Sequence, residues 1–177
     1  MSVETRRYAN RREFIGAHNL NGPYSARFYD DGTAQLGEGN VYVKKTKLSN
    51  AQVLTFRATP AVLIPAPGAN KALILHKFAM VCDDSDTAWT ESTDNLIIEY
   101  ASNLDISGAI EAGGLVGGSV KFITQGVPTT VLIPAVNSAI ELFNTGDGEW
   151  GGGNVANSMS VICWYSIMDT VAFDSAR

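Results

Sequence analysis

Cysteine, histidine and charge are all scarce in this 177-residue chain, with two cysteines, two histidines and 18% charged residues, against about 25% charged in ordinary globular domains. Cys82 and Cys163 stand far apart, each inside an apolar stretch, with no CxxC spacing and no flanking histidine. That excludes a disulfide-dense scaffold and a cysteine zinc site, and both thiols read as small buried hydrophobes. His18 and His76 have no metal-binding neighbour in sequence and no HExxH surrounds them, so no metal is expected. No apolar run approaches the roughly 18 residues of a membrane-spanning helix. Residues 1–14 carry four arginines and no apolar h-region, so they are not expected to be a secretory signal. No GxSxG-like elbow marks a serine nucleophile, since Gly118-Ser119 and Asn157-Ser158 supply no such turn. Triads are defined by geometry rather than chain order, yet no motif points to an enzyme and none is expected.

What the chain has instead is apolar material and glycine. Apolar residues make up 45% and glycine contributes 17 residues, enough for a real core broken by many turns. The formal net charge is −5, unevenly placed: residues 1–50 hold eight basic against five acidic groups, and the remaining 127 hold five against thirteen. A basic N-terminal arm on an acidic body points to an acidic partner for the arm, the body of a neighbouring copy included. A solvated arm with no fixed partner is the alternative. Arg6, Arg7, Arg11 and Arg12, diluted by Glu4 and Glu13, make a thin footprint for nucleic acid, and none is expected as a partner.

The chain divides near residue 49. Residues 1–48 are poor in apolar side chains, and Asn21-Gly22-Pro23 and Asp31-Gly32 are turn sequences. This segment is expected as an extended arm laid over its own body or another subunit, with one or two short strands in 34–48. Ser49 reads as a helix N-cap with Gln52 as the return partner of a capping box. Ala51, Val53, Leu54 and Phe56 follow and Pro60 stops the turn, which predicts a helix of two turns at most. From there the pattern has period two. Strands are predicted over 61–64, 71–82, 95–100, 120–124, 129–133, 138–144 and 158–168. Ile74, Phe78, Met80 and Cys82 are expected on one apolar face, Leu96, Ile98 and Tyr100 on another, and Met159, Val161, Cys163, Tyr165 and Ile167 on a third. Short alternating strands between breakers predict an all-β antiparallel sandwich or barrel, with the arm over 1–48 and the domain over 49–177.

Gly146-Asp147-Gly148-Glu149-Trp150-Gly151 matches the GxGxxG spacing of dinucleotide sites. That chemistry needs a helix next, whereas Gly152-Gly153-Asn154 breaks helices, so no nucleotide cofactor is expected. The segment reads instead as a loop between antiparallel strands. Its Trp150 is either an exposed contact anchor or a side chain folded back to close one end of the sandwich. Asp83, Asp84, Asp86, Glu91 and Asp94 lack the spacing of a calcium loop and read as a solvated hairpin loop.

The strings Leu48-Ser49-Asn50-Ala51-Gln52-Val53, Ala58-Thr59-Pro60, Ile64-Pro65-Ala66-Pro67-Gly68-Ala69 and Asn144-Thr145-Gly146-Asp147-Gly148-Glu149-Trp150-Gly151-Gly152-Gly153-Asn154 lie within residues 48–168. This region resembles small virion proteins of tailed bacteriophages, the head-decoration or capsid cement family. The resemblance implies a jelly-roll-like sandwich, assembled as a homotrimer on the capsid exterior after synthesis in the host cytoplasm. It implies the major capsid protein and neighbouring copies as partners, with no membrane, small-molecule substrate, catalytic residue or cofactor. The expected contact residues are Arg6, Arg7, Arg11 and Arg12 on the arm and Asp147, Glu149 and Trp150 on the loop. Two alternatives are a receptor-binding or fibre-tip module using Trp150 and its glycines, and a hydrolase of unstated mechanism.

Overall fold

The computed structural model describes residues 3–8, 11–16, 24–29, 33–36, 41–84, 86–91, 95–126 and 133–170. Four short strands come first: β1 (Val3–Tyr8), β2 (Arg11–Gly16), β3 (Tyr24–Tyr29) and β4 (Thr33–Leu36). Then follow β5 (Val41–Ser49), helix α1 (Asn50–Val53), β6 (Ala61–Ile64), β7 (Lys71–Asp83) and the two-residue β8 (Trp89–Thr90). β9 (Leu96–Tyr100), β10 (Leu104–Asp105), a 3-10 turn at Ala112–Gly114, β11 (Lys121–Gly126), β12 (Ile140–Asn144), β13 (Gly151–Gly152) and β14 (Ser158–Asp169) complete the order. The strand predicted over 129–133 falls largely outside the described residues.

The protein is an all-β antiparallel sandwich. One sheet has eight strands in the order β1-β2-β3-β4-β5-β14-β7-β11, the other four in the order β10-β9-β12-β6, and β13 pairs with β8 at one end. The path through the body is that of a long hairpin rolled on itself. β5 pairs with β14, β6 with β12, β7 with β11 and β9 with β10, and the roll is stitched by β14 against β7 and β12 against β9. This is the strand order of a jelly roll, two Greek keys closed over one core. β1 to β4 continue the larger sheet beyond β5 as successive antiparallel hairpins.

Period-two alternation places the core. Met159, Val161, Cys163 and Tyr165 of β14 are buried opposite Leu96, Ile98 and Tyr100 of β9 and Ile140 and Leu142 of β12. β7 departs from strict alternation. Trp164 pairs with Lys77 but Tyr165 with Leu75, so His76 is an extra, bulged residue. Phe78, Met80 and Cys82 face the core as expected, but the bulge reverses parity before them. Leu73 and Leu75 are buried there, and Ile74 lies on the outer face. The helix after β5 is short, with a capping box in which Ser49 N donates to Gln52 Oε1 at 3.0 Å. The helix carries Val53 into the core and the turn after it carries Phe56, both fully buried. No helix among the described residues is long and apolar enough to cross a membrane.

Candidate partner-binding surfaces

The glycine-rich segment between β12 and β14 closes one end of the sandwich. Asn144, fully buried, shapes the turn by donating from Nδ2 to Gly148 O at 2.9 Å and accepting from Gly146 N at 2.8 Å. Trp150 is folded back. It is only 3% exposed and its ring lies 6.0 Å from that of Trp89, itself 1% exposed. Trp89 Nε1 donates to Asn50 Oδ1 at 2.6 Å, which ties this end to α1. The glycines follow from that packing. Gly152 and Gly153 both have φ of +71°, and a Cβ on Gly153 would run into Asn50 Oδ1 and Trp89 Nε1. Glu149 is committed to the fold as well, accepting from Arg57 N at 3.0 Å and Ala58 N at 2.7 Å. Of the three loop residues expected at a contact, Asp147 is exposed and carries no such bond, Glu149 staples the turn after α1, and Trp150 offers no surface. The expectation of Trp150 as a contact residue is therefore corrected: its apolar area is already used against Trp89.

The acidic stretch after β7 is also partly internal. Asp84 is fully buried and its carboxylate accepts from four backbone N–H groups: Trp89 at 3.2 Å, Gly117 at 3.1 Å, Gly118 at 3.2 Å and Ser119 at 3.1 Å. A nest of this kind satisfies an anion without a cation and locks two loops together. The solvated-loop expectation holds for exposed Asp86 and fails for Asp84, while Asp94 lies outside the described residues. Among the described residues no group of three His, Cys, Asp or Glu side chains is arranged to hold a metal ion. Burial, reinforced by the Asp84 charge, pushes the Cys82 thiol up to about 12, and burial pushes Cys163 to about 12 against the opposing pull of Lys44. Both are thiols at neutral pH and poor nucleophiles.

The outer faces of the two sheets differ in sign. On the four-stranded sheet, Glu141 of β12 stands directly opposite Glu99 of β9, and Glu99 directly opposite Asp105 of β10. Three carboxylates thus form a row across three strands, with Val62 of β6 next in line. Glu99 is 6% exposed. Burial first, then the charges of Asp105 and Glu141, raise its pKa above the usual carboxylate value, and burial raises that of Glu141. On the eight-stranded sheet, exposed Lys45 and Lys47 of β5 and exposed Lys77 of β7 share the outer face with Ile162 and Trp164 of β14. Lys77 Nζ lies 4.3 Å from the Trp164 ring centroid, a cation–π contact.

The structure brings the four arm arginines into one hairpin. Arg7 stands opposite Arg12 between β1 and β2, Arg6 opposite Glu13 and Tyr8 opposite Arg11. Period-two patterning places Glu99 and Glu141 on the polar side of their strands, but the row itself exists only once register is known, and no local motif announces it. No protein family matches the sequence, and no curated protein or solved structure is significantly similar to it.

Proposed function

We propose that this chain is a structural virion protein that binds the outside of a tailed-phage head and cements the major capsid lattice, acting as a homotrimer and without catalysis. The observation that carries the reading is the extension of one layer of a jelly roll, by four N-terminal strands, to eight. At the usual spacing of about 4.8 Å between strands, that layer is about 34 Å wide, a strip suited to lie across a junction between subunits. In this reading the basic hairpin β1–β2 at its edge pairs with acidic patches on neighbouring capsid or cement subunits. Weak contacts of this kind gain strength when repeated on a lattice.

The fibre-tip alternative drew on an exposed Trp150, and the burial of that side chain against Trp89 leaves it without its anchor. The deciding experiment is the copy number of the polypeptide in purified virus particles, by quantitative peptide mass spectrometry against the major capsid protein. A ratio of about one copy or trimer per capsomer-scale site supports cementing, in keeping with lattice avidity. A handful of copies moves the protein to a fibre or spike, and absence from the particle ends the virion reading. Removal of residues 1–40 tests the arm: heads should lose the protein on washing, and undiminished retention would exclude a role for the arm.

A further inference from the structure

Among the described residues, the ladder row that holds Glu99 contains no basic group, and the rows that hold Lys45, Lys47 and Lys77 contain no acidic one. On the four-stranded sheet the row Asp105–Glu99–Glu141 places like charges directly opposite in the ladder, an arrangement that destabilises a sheet on its own. Glu99, at the centre of the row, is 6% exposed, and its pKa is raised by burial first and then by the charges of Asp105 and Glu141. No lysine or arginine stands beside the row in the paired positions of β6, β9, β10 or β12. On the eight-stranded sheet, Lys45, Lys47 and Lys77 stand in ladder rows with Ser160, Val81, Ile162, Ala79 and Trp164, rows without an acidic group among the described residues, while Asp83 shares this face of β7 one row beyond Val81. The two faces lie on opposite sides of one sandwich, with roughly 10 Å of core between the sheets, so they cannot meet within one chain.

Their dimensions agree. The acidic row crosses three adjacent strands, and two inter-strand steps span about 10 Å. Lys45 and Lys77 are also two strands apart, through β14, and Lys47 lies two residues along β5, about 7 Å away. Each face brings half-buried apolar neighbours to the contact: Phe143 on one side, Ile162 and Trp164 on the other. We infer that the outer face of the four-stranded sheet docks on the lysine-bearing outer face of the eight-stranded sheet of a second copy of this chain. Contact between two different faces is heterologous, so each copy gives one face and receives the other, and the assembly closes into a ring or continues as a filament according to the rotation per step. Lysines facing the row offset its like-charge repulsion, which becomes a stabilising term of the assembly. The biological use of this contact rests on the lattice role proposed above, but its existence does not.

The test is the oligomeric state of the full chain in solution, by sedimentation velocity over a range of concentrations and salt. The wild type should self-associate, and association should weaken as salt screens the faces. Two variants change only exposed or half-buried side chains: Lys45→Glu with Lys47→Glu, and Asp105→Lys with Glu141→Lys. Each alone should lower the association constant at least tenfold, with unaltered far-ultraviolet circular dichroism. Mixed in equal amounts they should associate again, because each keeps one native face complementary to the other's. A wild type that remains monomeric, or association indifferent to both variants, overturns the inference. Self-association with this pattern in a protein absent from virus particles would sink the virion reading alone.

Discussion

Glu99 faces Glu141 directly across the β9–β12 ladder with no cation between them. Two carboxylates in register on a half-buried surface oppose folding of the isolated chain. A single neutral substitution should therefore stabilise it.

Glu99→Gln is expected to raise the unfolding free energy at pH 7 by about 0.5–1 kcal/mol, the scale of a cross-strand pair. The folded-state pKa of Glu99 lies above its unfolded value, so the folded protein holds more protons as pH rises through that window. Its unfavourable contribution is absent below the unfolded carboxylate range and complete above the folded pKa. Denaturant melts at pH 7 and pH 4 check this: the advantage of Glu99→Gln should shrink on acidification, and an advantage that grows would contradict the assignment.

Trp150 is core rather than contact. Trp150→Ala should cost about 3–5 kcal/mol through the cavity left beside Trp89. The indole Nε1 is buried with no hydrogen-bond partner among the described residues, so Trp150→Phe should cost far less than Trp150→Ala. Equilibrium urea unfolding of both variants measures the difference, and equal losses would point to a hydrogen bond of the indole.

Asp84 holds the loop at 117–119 against the start of β8 through its four backbone donors. Asp84→Ala should destabilise by on the order of 3 kcal/mol or more, because buried N–H groups are left unpaired. Hydrogen exchange at Trp89, Gly117, Gly118 and Ser119 should accelerate, while exchange in β9 and β12 changes only as global stability falls.

Gly153 sits at φ +71° against Asn50 and Trp89. Gly153→Ala should cost on the order of 2 kcal/mol from backbone strain and overpacking. A melt matching the wild type would mean that the α1 end can shift to make room.

Cys82 and Cys163, both pushed to about 12 by burial, should resist alkylation by iodoacetamide at pH 8 in the native state and react on unfolding. Mass spectrometry of labelled protein, with and without denaturant, distinguishes the two states.

The all-β class was legible because β9 and β14 alternate so regularly that their inward residues can be named from the sequence. β7 was harder to read. One inserted residue at His76 leaves no mark in composition, yet it moves Ile74 outward and Leu73 and Leu75 inward. The capping box at Ser49 and Gln52 was readable because its signal lies within four residues. Trp150 could not be assigned from its neighbours, since what buries it is Trp89, from a different loop. Asp84 looked like the solvated residues around it because its donors come from 117–119, more than thirty positions away. The acidic row and the lysine face are products of pairing between distant strands, which side-chain periodicity alone does not specify.

β14 is the last strand of the sandwich to leave the ribosome and yet lies in the middle of its sheet, between β5 and β7. Until it arrives, β5 and β7 are both missing a neighbour, and the apolar surface beneath Leu48, Phe78 and Met80 has no lid on that side. Nascent chains of this protein are therefore adhesive until β14 is made, and β5 gains its neighbour through contacts between residues more than a hundred positions apart, a topology that folds slowly. A chain stopped short of β14 would not be a smaller version of this molecule but an open half-sheet, with two strand edges ready to capture whatever strand comes next.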